Sequence, residues 1–366
     1  MSRVLWKFSP VDSWFFRGGS PFSWGQSIGI NDVVFPPPMT VLQGAIRTAI
    51  ARKRGWQPHR DDLWPSELGD PEHLGYLTFK GPVMTRQGAS FFPWPRHILE
   101  DAKGLVNLVP GPKIHSDLGE RQLPVPTRKE DNLHALDPYW IEAEGLARVL
   151  RGGLPEADQM KPAKEFWKFE PRTHLAINQA TATAEEGRLF HTVQTRLQPD
   201  VSIAVEVDGL PADWQSNIDF IQLGGEGRFA RVETEEHARL QVPALADLQS
   251  QEGVYHIFAL LLTPAVFQQG EKVLRDGPLA DLQCVSAVTG RAEMRGGWDL
   301  KNRRPRPLRA FVPAGSVWFY QMSPAEWERR KPLHGQHVGL DSEYGYGHLV
   351  FGQWTEDGRQ ATKEGR

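Results

Sequence analysis

The sequence predicts an α+β chain of two ferredoxin-like modules (RRM-like, split βαβ), each running strand, helix, strand, strand, helix, strand. Two observations carry that expectation. A chain of 366 residues exceeds one average domain, and apolar periodicity yields the same element order twice once a proline-rich stretch and a hairpin are set aside. A third bounds the remainder: 29 prolines, 35 glycines and 13 tryptophans assign much of the chain to shaped loops carrying aromatic anchors. The modules are expected at residues 1–240 and 241–366.

Residues 3–8 read as the first strand, and the run Phe16, Arg17, Gly18, Gly19 as a tight turn presenting Arg17. The first helix is expected in FPPPMTVLQGAIRTAIARKR, residues 35–54. Its Val41, Leu42, Ala45, Ile46, Ala49 and Ile50 span about half the helix circumference, the arc of a helix lying on a core. Pro36, Pro37 and Pro38 fix φ and withhold donors, so they or Thr40 mark the helix start. Gln43, Arg47 and Arg54 are expected together on the far side. Gly44 beside Arg47 leaves room for another backbone, either a neighbouring loop or a phosphate chain.

A second strand follows at 75–79. Residues 83–137 hold too many prolines for central strands and read as loop, the larger part of an insertion at about 83–165. A helix is expected at 139–150, then a hairpin within about 172–197, pairing 172–178 with 188–196 across ATATAEEG. Residues 201–207 alternate, with Val201, Ile203, Val205 and Val207 on the buried side and Ser202 and Glu206 opposite. A helix at 212–222 and a strand at 228–232 complete the first module. The second has strands at 254–262, 282–288, 316–322 and 348–354, with helices at 264–269 and 324–330.

Lys plus Arg number 42 against 45 Asp plus Glu, a net charge of -3, so contact with a polyanion requires a local patch. The single cysteine, Cys284, excludes an internal disulfide framework and a thiolate cluster for zinc, which fits a reducing cytosol. The opening MSRVLWKFSP lacks the apolar core of a secretory signal, and no apolar run approaches the roughly 20 residues that cross a bilayer. A cytoplasmic protein without membrane contact is expected.

Phosphate-transfer and metal signatures are missing: there is no GxxxxGK[ST], HExxH or paired-cysteine motif, and no cofactor is expected. Three features suit a polyanion. KNRRPRPLR at 301–309, including Arg303 and Arg304, is either an RNA contact or solvated surface. Gly345 and Gly347 in GYGHLVFGQW, before His348, are either a plain turn or bare amides facing phosphate oxygens. GGEGR offers the same choice, ending on Arg228. Among twelve dispersed histidines, His134, His174, His191 and His348 included, any one is either a general base for RNA cleavage or a structural or surface residue, and the residues alone define no catalytic centre.

Together these stretches resemble one family over almost the whole chain: the third subunit of the Cmr complex, the type III-B CRISPR interference machine, within the glycine-loop RAMP superfamily. FFRGGSPF, FPPPMTVLQGAIRTAI, FKGP, FFPWP, RTHLAIN, GRLF, LGGEGR, LLTPAVF, GGWDL, PAGSVWF and GYGHLVFGQW occur in the family's order, and FPPP with GAIRTA is the most distinctive. The resemblance implies two ferredoxin-like folds and a noncatalytic subunit holding the 5′ repeat-derived tag of the guide RNA (crRNA). It implies as partners the large polymerase-like subunit and a neighbouring RAMP backbone subunit, and it makes the hairpin a thumb-like projection beside the RNA. Candidate RNA contacts are then Arg17, Gln43, Gly44, Arg47, Arg172, His174, Arg228, Arg303, Arg304, Gly345, Gly347 and His348. The alternative is a RAMP-type endoribonuclease that processes CRISPR repeat RNA.

Overall fold

A computed structural model describes residues 2–18, 32–70, 73–116, 119–128, 132–178, 180–211, 214, 218–279, 281–299 and 304–355. It is a mixed α/β chain of mostly antiparallel sheets with few helices. Two compact units emerge: one of residues 1–87, 164–240 and 294–309, the other of 88–163, 241–293 and 310–366.

In the first unit, strand β1 (Ser2–Pro10) leads to helix α1 (Met39–Lys53) and strand β2 (Thr78–Arg86). Strands β3 (Trp167–Asn178) and β4 (Thr183–Leu197) form a separate long hairpin. Strand β5 (Val201–Leu210) follows, then β6 (Phe220–Gln222) and β7 (Phe229–Glu236). The sheet order is β6-β7-β1-β5-β2, with antiparallel pairing of β1 to β5 and β7 and of β5 to β2. Leaving out β6 and numbering the strands by chain order, these four read 4-1-3-2 across the sheet.

Helix α1 starts as the prolines dictate, with Pro38 in the extended region before Met39. Met39, Leu42, Ile46 and Ile50 are at most 1 % exposed, and each such side chain contributes about 1.5–3 kcal/mol by leaving water. The predicted arc needs a correction. Val41 lies on the surface, whereas Gln43 and Arg47 are buried, because the segment around Leu68 and Asp70 covers what was expected to be the outer side. Arg54 does face outwards, its guanidinium carbon 4.6 Å from the Trp214 ring centroid.

Strand β5 is buried on both faces. Val201, Ile203, Val205 and Val207 are inside as predicted, but Glu206 is also only 3 % exposed. Its carboxylate lies 3.3 Å from Arg3 Nε and 3.4 Å from Lys80 Nζ, and it accepts the Leu240 amide at 3.0 Å. A buried charge is retained when it is paired and hydrogen-bonded in this way. The helix expected at 212–222 ends instead in strand β6, where Phe220 and Gln222 pair with Arg231 and Phe229; residues 212–213 and 215–217 lie outside the described residues.

In the second unit, the proline-rich stretch expected as loop is largely strand: Ala89–Pro93, Ile98–Asp101, Gly104–Ser116 and Gly119–Pro126. The prolines sit where sheets tolerate them. Pro124 and Pro126 lie on the edge strand, and a register shift separates Pro110 from Lys113 around Pro112. The helix expected at 139–150 begins later. Tyr139–Glu142, rich in β-favouring side chains, pairs with Phe91 and Phe92, and helix α2 occupies Ala143–Leu150.

The remainder of this unit runs β8 (Tyr255–Leu261), α3 (Gly270–Asp276), β9 (Ser286–Val288), β10 (Val317–Met322), α4 (Pro324–Arg330) and β11 (His348–Gln353). Leaving out the two-residue edge strand Gln336–His337, the order β9-β10-β8-β11 is the first unit's arrangement read from its other edge. Helix α4 matches its expected bounds, set by Pro324 in the first turn and a Ser323–Glu326 capping box. No helix forms at 264–269, because Ala265 and Val266 bridge to Val312 and Leu340; the helix starts at Gly270. Ile257, Ala259, Leu261, Trp318, Tyr320, Leu349 and Phe351 are fully buried around this sheet.

Candidate nucleic-acid interface

The base of the β3–β4 hairpin is where several sequence-predicted residues meet. Register places Arg172 opposite Thr192 and His174 opposite Phe190, so all four share one face. The hairpin is tied down by reciprocal backbone bonds between Trp14 and Thr195, at 2.8 and 2.7 Å. That tie brings the preceding residue pair, Asp12 and Ser13, under the arginines.

Three guanidinium groups converge on the Asp12 carboxylate. Arg172 Nη2 donates to Oδ2 at 3.0 Å, Arg196 Nη2 to Oδ1 at 2.7 Å and Arg228 Nη1 to Oδ2 at 3.3 Å. Glu170 accepts from Arg196 Nη2 at 3.1 Å and from Arg172 at 3.5 Å, and Arg196 Nε also donates to it. Three cations against two carboxylates leave one net positive charge on a surface whose side chains are 22–46 % exposed. Hydrogen bonding by Arg196 and then Arg172 holds the Asp12 carboxyl at about 2, and Arg196 lowers that of Glu170.

Arg228 reaches the cluster from the GGEGR turn. Gly225 donates its amide to Phe15 O at 2.8 Å, and Arg228 N closes the turn on Gly225 O at 3.3 Å. Gly224, at φ +96, lies where a Cβ would come within 3.1 Å of that same Phe15 oxygen. The glycines therefore serve close packing on the segment carrying Asp12, and the amide of Gly225 is spent inside the protein. Arg17, exposed, follows five residues after Asp12 and bridges to Val33. Gly19 of the predicted turn lies outside the described residues.

His174 stacks on Phe190, ring centroids 5.0 Å apart and planes 10° apart, while its Nε2 bonds Thr192 Oγ1 at 2.8 Å. This is a flat aromatic platform on the arginine-bearing face. Stacked rings of that kind receive nucleobases in single-stranded RNA recognition.

The other expected residues lie elsewhere. On α1, a methyl group added at Gly44 would have no atom of the described residues within 4 Å. Arg47 is 5 % exposed and donates to Leu68 O at 2.8 Å, Asp70 O at 2.6 Å and Gln43 Oε1 at 3.0 Å. Gln43 in turn donates to Thr40 O at 2.8 Å. Arg304 is exposed in a two-residue strand paired with Trp298–Asp299; Arg303 lies outside the described residues.

In the second unit, Gly345 and Gly347 are buried and their amides donate to Ser342 O at 3.0 Å and Pro264 O at 2.9 Å. They do not present bare amides. Gly347 has φ +76, and a Cβ there would run into Val338 O, so only glycine fits. His348 is 1 % exposed and stacks on His337 at 4.7 Å.

Sequence reasoning missed Asp12, Ser13, Glu170, Gln194 and Arg196. The signal available was the hairpin register, which decides that Arg196 and Glu170 share the face of Arg172. Among the described residues, no group of three or more His, Cys, Asp or Glu side chains is placed to hold a metal ion, and no helix is long and apolar enough to cross a membrane.

A family model described as "CRISPR-associated protein (Cas_Cmr3)" matches residues 6–354. The chain is similar to a subunit of the type III-B Cmr-beta complex solved by cryo-EM with cognate target RNA and AMPPnP, at 16 % identity, covering 87 % of this chain and 86 % of that one, TM-score 0.51. A second such structure, bound to cognate target RNA, matches at 15 % identity over 95 % of this chain and 96 % of the other, again with a TM-score of 0.51. At these identities the likeness carries the fold. No curated protein matches the chain.

Proposed function

This chain belongs to the CRISPR-associated Cas_Cmr3 family, whose members are subunits of type III-B effector complexes, and from that membership we propose that it grips the 5′ repeat-derived tag of the guide RNA. The observation that carries this reading is the convergence of Arg172, Arg196 and Arg228 at the hairpin base, beside the His174–Phe190 stack. Arginines supply phosphate contacts that set position, and stacked rings supply sequence-tolerant seats for splayed bases. The near-neutral net charge of -3 fits a narrow track rather than indiscriminate binding.

The same reading takes each unit's 4-1-3-2 strand order as support for a ferredoxin-like module, with the hairpin as thumb. It makes the chain a cytoplasmic, noncatalytic subunit flanked by the large polymerase-like subunit and a RAMP backbone subunit. Reconstituted complex should retain a tag-bearing guide more tightly than a tagless one, and Arg172→Gln with Arg228→Gln should erase that difference. Equal retention by the unmodified complex would refute tag binding. Purified protein should leave labelled repeat RNA uncut; site-specific cuts lost on His174→Ala would establish the endoribonuclease instead.

A further inference from the structure

We propose that the Asp12 carboxylate is a built-in placeholder for an RNA phosphate, occupying the arginine triad in the free chain and yielding it when a ribonucleotide backbone binds. The inference rests on the RNA-binding reading above and assigns to it a residue of the wrong sign. A carboxylate receiving three guanidinium groups reproduces the charge and the multi-donor coordination that arginine forks give to phosphate. Asp12 is suited to exchange because it is 46 % exposed and sits on irregular chain after β1, whereas Arg172 and Arg196 stand on paired strands.

The partners that would remain are prearranged. Arg196 keeps Glu170 on its Nε edge, so its orientation survives loss of Asp12. Ser13 Oγ receives Arg172 Nη2 at 3.1 Å and donates to Gln194 Oε1 at 2.5 Å, fixing the floor of the site. Donor capacity is left over at that floor. Gln194 is 0 % exposed and, among the described residues, neither its Nε2 nor the buried Arg228 Nε has a hydrogen-bond partner. An unsatisfied buried donor costs free energy that an incoming oxygen or its bridging water recovers. A carboxylate has two oxygens and a phosphate diester presents more acceptor directions, so the site offers more donors than Asp12 uses.

A placeholder changes the expected sign of a mutation. Removing an acidic side chain from a structural ion-pair cluster loosens the hairpin, whereas removing a competitor strengthens binding. The test is fluorescence titration of the full chain with a single-stranded RNA oligonucleotide over a range of salt. Asp12→Asn should tighten binding about fourfold or more, the effect of deleting one charge about 5 Å from a phosphate in a water-like dielectric. Glu226→Gln, which removes an exposed acid on the turn leading to Arg228, is the control and should change affinity less than about twofold. Arg196→Gln should weaken binding and flatten the dependence of log affinity on log salt by about 0.7, one phosphate contact fewer. Circular dichroism melts of the three variants show that each is folded. Unchanged or weaker binding by Asp12→Asn, or an equal gain from Glu226→Gln, overturns the placeholder while leaving RNA binding intact. No binding by any variant or by the unmodified chain overturns the RNA-binding reading together with it.

Discussion

Replacing Arg47 by alanine should destabilise the first unit rather than weaken an RNA contact. The guanidinium makes charge-assisted bonds to Leu68 O, Asp70 O and Gln43 Oε1 at 2.8, 2.6 and 3.0 Å, and it lies 5.8 Å from the centre of the Trp64 ring. Hydrogen bonds to charged groups are worth about 1.5–3 kcal/mol each, and the orphaned carbonyls regain water only in part. Side-chain entropy released by removing a long residue offsets some of this. A net cost of about 3–4 kcal/mol follows, at the upper end of single substitutions. For a unit of this size that lowers the melting temperature by roughly 6–16 °C. Thermal unfolding followed by tryptophan fluorescence, which Trp56 and Trp64 report locally, measures it, with trypsin cutting of residues 54–70 as a second readout. A melt indistinguishable from the unmodified chain would show that Arg47 is not the clamp described. Arg47→Glu should cost at least as much, since it places a carboxylate against two carbonyl oxygens.

Gly44→Ala should behave in the opposite way, because no atom of the described residues lies within 4 Å of the added methyl. The free chain should gain about 0.5–1 kcal/mol from the better helix former, visible as a higher melting temperature, and a lower one would show an unrecognised contact. Acid should release the hairpin base. The Asp12 carboxyl is depressed to about 2, chiefly by the Arg196 bond, below an unfolded value of about 3.9. Its contribution is therefore complete above that unfolded value and is lost as pH falls through about 2. Hydrogen exchange at the Trp14 and Thr195 amides, corrected for intrinsic rates, should show protection kept at pH 4 and falling towards pH 2, with Asp12→Asn flattening the profile. Cys284 is 4 % exposed and its thiol is pushed up to about 12 by burial, with Asp276 adding to the effect. Alkylation at pH 8 should be slow in the folded chain and fast in urea; rapid native labelling would contradict that burial.

The regular elements were legible where sequence pattern and environment agree. Pro38 announced α1, and the helix expected at 324–330 formed at those bounds. Errors arose where tertiary packing overrode a local signal. Arg47 reads as an outward charge until the Leu68–Asp70 segment is laid over it, and Glu206 alternates outward until Arg3 and Lys80 close on it. Prolines at Pro110, Pro124 and Pro126 argued against strands because edge position and a register shift cannot be read from composition. For the site, Arg172 and Arg228 were legible as charges within family-like segments. Their meeting was not, because it depends on Asp12, which lies 160 residues from Arg172 and 216 from Arg228.

Photo-crosslinking from the 5′ tag nucleotides of a guide RNA in the assembled effector complex tests the central proposal most directly. Adducts should concentrate on peptides containing Arg172, Phe190, Arg196 and Arg228. Tag nucleotides that attach only to other subunits, with none captured on the hairpin base, would contradict it.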